Sequence, residues 1–90
     1  MSAVRIPPVL RTATGGAKQV HVAGTTVGEV IDGLVAAYPS LGPQLRAPDG
    51  ELNRFVNVFL NDEDIRHLEA LDTPIEDRDT LVLLPAMAGG

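Results

Sequence analysis

The sequence predicts an α+β domain in which one amphipathic helix lies across one face of a mixed sheet of four to five strands. Three observations predict it: two short alternating apolar runs near the N-terminus, one capped helical stripe behind them, and two further alternating runs in the second half. A lone amphipathic helix has a single face to bury, and a sheet is the partner the rest of the chain can build. The 90 residues suit one core rather than two. Residues 1–85 are read as the domain and residues 86–90 as a flexible tail.

Residues 3–6 form the first strand candidate, with Val4 and Ile6 on one face and Arg5 on the other. Pro7-Pro8 removes two backbone donors, and Gly15-Gly16 supplies a turn. Residues 18–22 alternate again, Val20 and Val22 opposing Gln19 and His21, which makes the two runs a hairpin with a long connection. Thr26 followed by Glu29 is a capping-box pattern. Val27, Val30, Ile31, Leu34, Val35 and Tyr38 then recur every three or four residues, and Pro39 stops a helix of about twelve residues. Residues 40–52 are rich in turns, with a short helical turn around Gln44, Leu45 and Arg46. Residues 55–61 form the strongest strand, residues 61–64 a polar turn, and Ile65-Arg66 the start of a short returning strand. After another acidic turn at 76–79, residues 80–84 make the last strand, and Pro85 stops it.

Composition excludes several functions. A net charge of −5 and no basic stripe argue against nucleic acid, and the seven cations are scattered along the chain. An acidic surface suits protein partners with basic docking sites. The absence of cysteine removes disulfides, thiol catalysis and thiolate metal sites. No segment is long and apolar enough to span a membrane and no signal-peptide core is present, so a cytoplasmic location is expected. His21 and His67 are far apart and are read as solvent-facing, with no metal site expected. Asp62, Glu63 and Asp64 read as turn formers, and Gly15-Gly16 lacks the strand–loop–helix context of a phosphate site. No nucleophile and base stand out as a pair.

Two features remain for function. The first is the ending Pro85-Ala86-Met87-Ala88-Gly89-Gly90. Two glycines without Cβ can thread a narrow channel, and the acyl carbon of Gly90 is unhindered. Extended at ~3.3 Å per residue, residues 86–90 reach roughly 17 Å from the domain. The second is a partner-docking face. In the strand at 55–61, Val56, Val58 and Leu60 alternate with Phe59; in the last strand, Leu81 and Leu83 alternate with Val82 and Leu84. The first set is assigned to the core, which leaves Phe59, Val82 and Leu84 as an apolar patch near the tail root. The alternative is that residues 7–14 fold over that patch.

Three stretches resemble a known family: residues 53–66, residues 71–75 with the acidic turn behind them, and residues 83–90 with the Gly89-Gly90 ending. Together with the order of elements, they resemble the MoaD/ThiS-type sulfur carriers, and most closely the branch serving cysteine biosynthesis in actinobacteria. The resemblance implies a ubiquitin-like β-grasp fold and a protein that is a co-substrate rather than an enzyme. It further implies that an E1-like, ATP-dependent enzyme adenylates Gly90, and that a sulfur donor converts it to a thiocarboxylate (a C-terminal 1-thioglycine). A cysteine-synthase-like or other thiolating enzyme would then accept the sulfur. Thiamine, molybdopterin and secondary-metabolite thiolation are alternative destinations. A ubiquitin-like modifier joined through Gly90 to lysines, and the small subunit of molybdopterin synthase, are the alternative roles. No cofactor is expected to be held by the chain itself. One departure concerns Arg78, where the family often has glycine; at positive φ, arginine would cost on the order of 1 kcal/mol.

Overall fold

The computed structural model describes residues 1–85. Strands β1 (Ser2–Arg5), β2 (Gln19–Val22), β3 (Val56–Leu60), β4 (Glu63–Asp64) and β5 (Thr80–Pro85) form one sheet in the order β2-β1-β5-β3-β4. Strands β1 and β5 run parallel and every other pair is antiparallel. Helix α1 (Val27–Ala37) is the main helix, and the four-residue α2 (Gly42–Leu45) follows it. This is the two-layer β-grasp arrangement that the resemblance implied.

The core is the meeting of the two periodicities. From α1, Val27, Val30, Ile31 and Leu34 are buried; from the sheet, Val4, Val58, Leu81 and Leu83 meet them at 1% exposure or less. Val35 and Tyr38 flank this core rather than fill it. Leu41, Leu45, Ile65 and Ile75, carried by the turns, complete it. The buried hydroxyls are satisfied locally: Ser2 Oγ donates to the Glu76 carbonyl at 2.9 Å, and Thr14 Oγ1 donates to the Ala17 carbonyl at 3.0 Å.

Several elements differ from the sequence reading. The connection after β1 is not an irregular loop, because Pro8–Thr14 forms a 3₁₀ helix with proline in its first turn, a position where the missing N–H costs nothing. Its Leu10 enters the core and Gly15 ends it at φ 66°. The capping interaction is displaced by one residue. Thr26 Oγ1 accepts from the Glu29 N–H at 3.2 Å, but the Glu29 carboxylate reaches back to Thr25, accepting from its N–H at 2.8 Å and its hydroxyl at 2.9 Å. The returning strand is Glu63–Asp64, not Ile65-Arg66. Asn61 and Asp62 take φ of 49° and 74°, so the chain reverses in two residues and pairs at once, while Ile65 drops into the core. Strand β5 runs through Pro85, which lies opposite Val56 instead of terminating the pairing before it. Arg78 has no positive φ, so the expected strain is absent; the turn closes with the Asp79 N–H donating to the Glu76 carbonyl.

Asp79 joins the two turns at this end of the sheet. Its carboxylate accepts from the Glu76 N–H at 2.8 Å and from Asn61 Nδ2 at 2.9 Å. These hydrogen bonds, the backbone one first, hold the carboxyl below the usual aspartate pKa. A carboxyl with a depressed folded-state pKa contributes stability above its unfolded value and loses it as the pH falls through the folded value. Asp79→Ala is therefore expected to lower the unfolding midpoint at neutral pH, with the gap to wild type closing in acid below the ordinary aspartate range. A gap that stays constant across that range would show that Asp79 acts through packing, not through its charge.

Candidate functional site

The tail expected at residues 86–90, comprising Ala86, Met87, Ala88, Gly89 and Gly90, lies outside the described residues. What the structure describes is its root. Strand β5 occupies the centre of the sheet, with β1 on one side and β3 on the other. Leu83 pairs with Val58 and is 1% exposed, so the strand is anchored two residues before Pro85. Neighbour β1 pairs with β5 as far as Val82, and β3 holds it on through Leu83, Leu84 and Pro85, so a chain leaving from this strand starts from a position fixed by β3.

The three proposed docking residues share the face of the sheet turned away from α1. Phe59 lies directly across from Val82, both half-buried, and Leu84 lies across from Asn57 with 43% of its surface exposed. Val56, Val58, Leu81 and Leu83 are buried on the other face as assigned, and Leu60 is half-buried beside them. The segment at 7–14 borders the docking face through Pro7, Pro8 and Arg11, which share a cleft with Val82 and Leu84, and leaves Leu84 43% exposed. It packs against the turn Pro39–Leu41, and Leu10 joins the helix-side core.

The charge around this face was not foreseen. The cations looked scattered in sequence, but the topology gathers some of them. Strand β1 ends opposite Val82, midway along the parallel β5, and antiparallel β2 begins beside it. Arg5, at the end of β1, lies opposite Val82 on one side and Gln19 on the other. With Arg11 and Lys18 it lines a cleft of about 430 Å³ that also takes in Val82 and Leu84, and no carboxylate among the described residues lines it. Arg66 closes the far side: its guanidinium donates to Asn57 Oδ1 at 3.0 Å, beside Leu84, and to the Val56 carbonyl at 3.0 Å. A signal for the first three was present in the sequence, since no acidic residue precedes Glu29.

Asp64 lies across from Phe59 at the β4 edge of this face, while a cluster of other acidic residues lies farther off. Asp62 and Glu63 sit at the β3–β4 turn, and Glu76, Asp77 and Asp79 at the turn entering β5, both at the end of the sheet opposite the tail root. Among the described residues, no group of three or more His, Asp or Glu side chains is placed to hold a metal ion. His21 on β2 and His67 beyond β4 belong to opposite edges of the sheet. No helix among the described residues is long and apolar enough to cross a membrane.

Comparison with known proteins bears on the family and the fold. The ThiS family model matches residues 4–90. The sulfur carrier protein CysO of Mycobacterium tuberculosis is 47% identical over 89 residues, covering 97% of this chain and 96% of that one. Small archaeal modifier protein 3 of Haloferax volcanii is 38% identical over 65 residues, covering 72% of this chain and 70% of its own. Among solved structures, a chain of the BexX/CysO complex of Amycolatopsis orientalis superposes with a TM-score of 0.91 at 43% identity, covering 100% of both chains.

Proposed function

The chain belongs to the ThiS family, and we propose on that basis that it is a sulfur carrier whose Gly90 is the reactive group. One observation carries the reading: the family match runs through residue 90 and so includes the Gly89-Gly90 ending, three residues beyond a strand that lies at the centre of the sheet and ends at Pro85. The similarity to CysO over nearly the whole of both chains supports it.

The chemistry starts from a poor electrophile. A carboxylate oxygen of Gly90 attacks the α-phosphorus of ATP, pyrophosphate leaves, and the acyl-adenylate forms. A donor of the hydrosulfide class then attacks the acyl carbon, the C–O bond to AMP breaks, and a thiocarboxylate results. In this scheme the chain supplies reach and an unhindered acyl carbon, while the activating enzyme supplies the catalytic groups. The carrier is thus a co-substrate. Cysteine synthesis is the favoured destination, because residues 53–66, 71–75 and 83–90 resemble the branch serving it. The reading is tested by incubating the protein with the E1-like enzyme of its own cell, ATP and hydrosulfide, then alkylating. No alkylated Gly90 under conditions in which ATP is turned over would sink it.

The face formed by Phe59, Val82 and Leu84 is proposed as the surface that seats the domain on its partners. Phe59→Ser is expected to weaken binding to the activating enzyme about tenfold, roughly 1.4 kcal/mol, with cooperative unfolding retained. Titration calorimetry beside thermal unfolding checks this; a variant unfolded at ambient temperature would show that Phe59 belongs to the core.

A second reading is favoured by the likeness to a small archaeal modifier protein: conjugation through Gly90 to lysines of other proteins. Gly90-linked peptides on foreign lysines, in a digest from the native cell, would distinguish it.

A further inference from the structure

We propose that Arg5, Arg11, Lys18 and Arg66 form a cationic collar around the tail root, and that it seats on a carboxylate-rich rim at the mouth of the channel that receives the tail on the activating enzyme. The inference rests on the carrier reading for the identity of the partner. The collar itself rests on charge and topology.

The chain carries −5 overall, which by itself favours basic partners. The collar has the opposite sign. Of the seven cations, Arg46 pairs with Asp32 at 2.6 Å and Arg78 with Glu76 at 3.0 Å. Arg54 shares a cleft with Asp49 and Glu51. Arg54 and the other four form no ion pair among the described residues; of these, Arg5, Arg11 and Lys18 line the cleft with Val82 and Leu84, and Arg66 reaches Asn57 across from Leu84. Five of the twelve acidic residues, Asp62, Glu63, Glu76, Asp77 and Asp79, sit at the two turns at the far end of the sheet, so the sheet carries a charge separation along the direction of β5. Such a dipole turns the tail end toward a negative potential during diffusional approach and repels docking in the reversed orientation. The apolar side chains inside the collar are the groups that a seated partner would desolvate, with exposed Arg5, Lys18 and Arg66 and half-buried Arg11 forming a polar rim around them.

Arg5 and Lys18 are exposed, and neither side chain makes a hydrogen bond among the described residues, so replacing them leaves the fold intact. Arg5→Glu and Arg78→Glu change the net charge equally but at opposite ends of the sheet. Arg5→Glu is expected to raise the activating enzyme's KM for this protein about tenfold, with kcat unchanged and the effect fading at high salt. Arg78→Glu is expected to change KM less than about twofold. Equal effects of the two variants, or none from Arg5→Glu, would overturn the collar while leaving the carrier reading intact. An independent readout does not need thiolation: amide shifts on titration with a glutamate hexapeptide. Shifts confined to the surroundings of Arg5, Lys18, Val82 and Leu84, and lost in the Arg5→Glu/Lys18→Glu variant, support the proposal even if Gly90 is never thiolated. Shifts spread evenly over the surface, or reproduced by inorganic phosphate at equal charge concentration, contradict it.

Discussion

Deleting Gly90 alone is expected to reduce thiocarboxylate formation at least about a hundredfold, with the thermal unfolding of the domain unchanged. The shortened chain still ends in a glycine carboxylate, Gly89, so the chemistry of the reacting group is preserved. What changes is reach, by ~3.3 Å. A misplacement of even about 1 Å at a reacting centre can cost a factor of about a hundred. The root cannot make up the difference, because Leu83 is buried and paired and β3 holds β5 as far as Pro85. A variant extended by one alanine should fail equally, since its electrophile is displaced the other way and carries a Cβ. Quantifying alkylated product by intact mass checks both. Near wild-type thiolation of the shortened chain would mean that the tail positions itself without regard to length.

The second large effect separates two neighbours. Leu83→Ala is expected to cost about 2–5 kcal/mol by opening a cavity, because Leu83 is 1% exposed beneath α1. For a domain of this size that lowers the unfolding midpoint by about 4–8 °C for each kcal/mol. Leu84→Ser, one residue on, should cost under about 1 kcal/mol, because Leu84 is 43% exposed on the opposite face. Its effect should appear in partner binding. Calorimetric unfolding of both variants, set beside their affinity for the activating enzyme, checks the pair. If the two lost stability equally, the faces of β5 would not divide into core and docking surface.

Much of this architecture is legible in the sequence because single residues declare their side. Leu81 and Leu83 oppose Val82 and Leu84 by alternation alone, and Val27, Val30, Ile31 and Leu34 line up by helical period. The misassigned places are those where tertiary pairing overrides local preference. Glu63 and Asp64 are poor strand formers, yet the two-residue turn at Asn61 and Asp62 delivers them to the sheet edge in register with Leu60 and Phe59. Pro7-Pro8 breaks a strand as expected, but it also starts a 3₁₀ helix whose Leu10 finds the core. The cationic collar is harder still to read. Arg5 and Arg66 are far apart in sequence, and only the parallel placement of β1 beside β5, with β3 antiparallel on the other side, brings both to the tail root.

The central claim is that Gly90 carries sulfur, and the most direct measurement is the intact mass of the protein isolated from its own cell, before and after thiocarboxylate-selective alkylation. Alkylation is needed because Met1 and Met87 can oxidise with a similar mass gain. A fraction of molecules is expected to have one oxygen replaced by sulfur and to be alkylated at Gly90 and nowhere else. A chain that remains an ordinary carboxylate in its own cell, and after exposure to the activating enzyme, ATP and a sulfur donor, would contradict it.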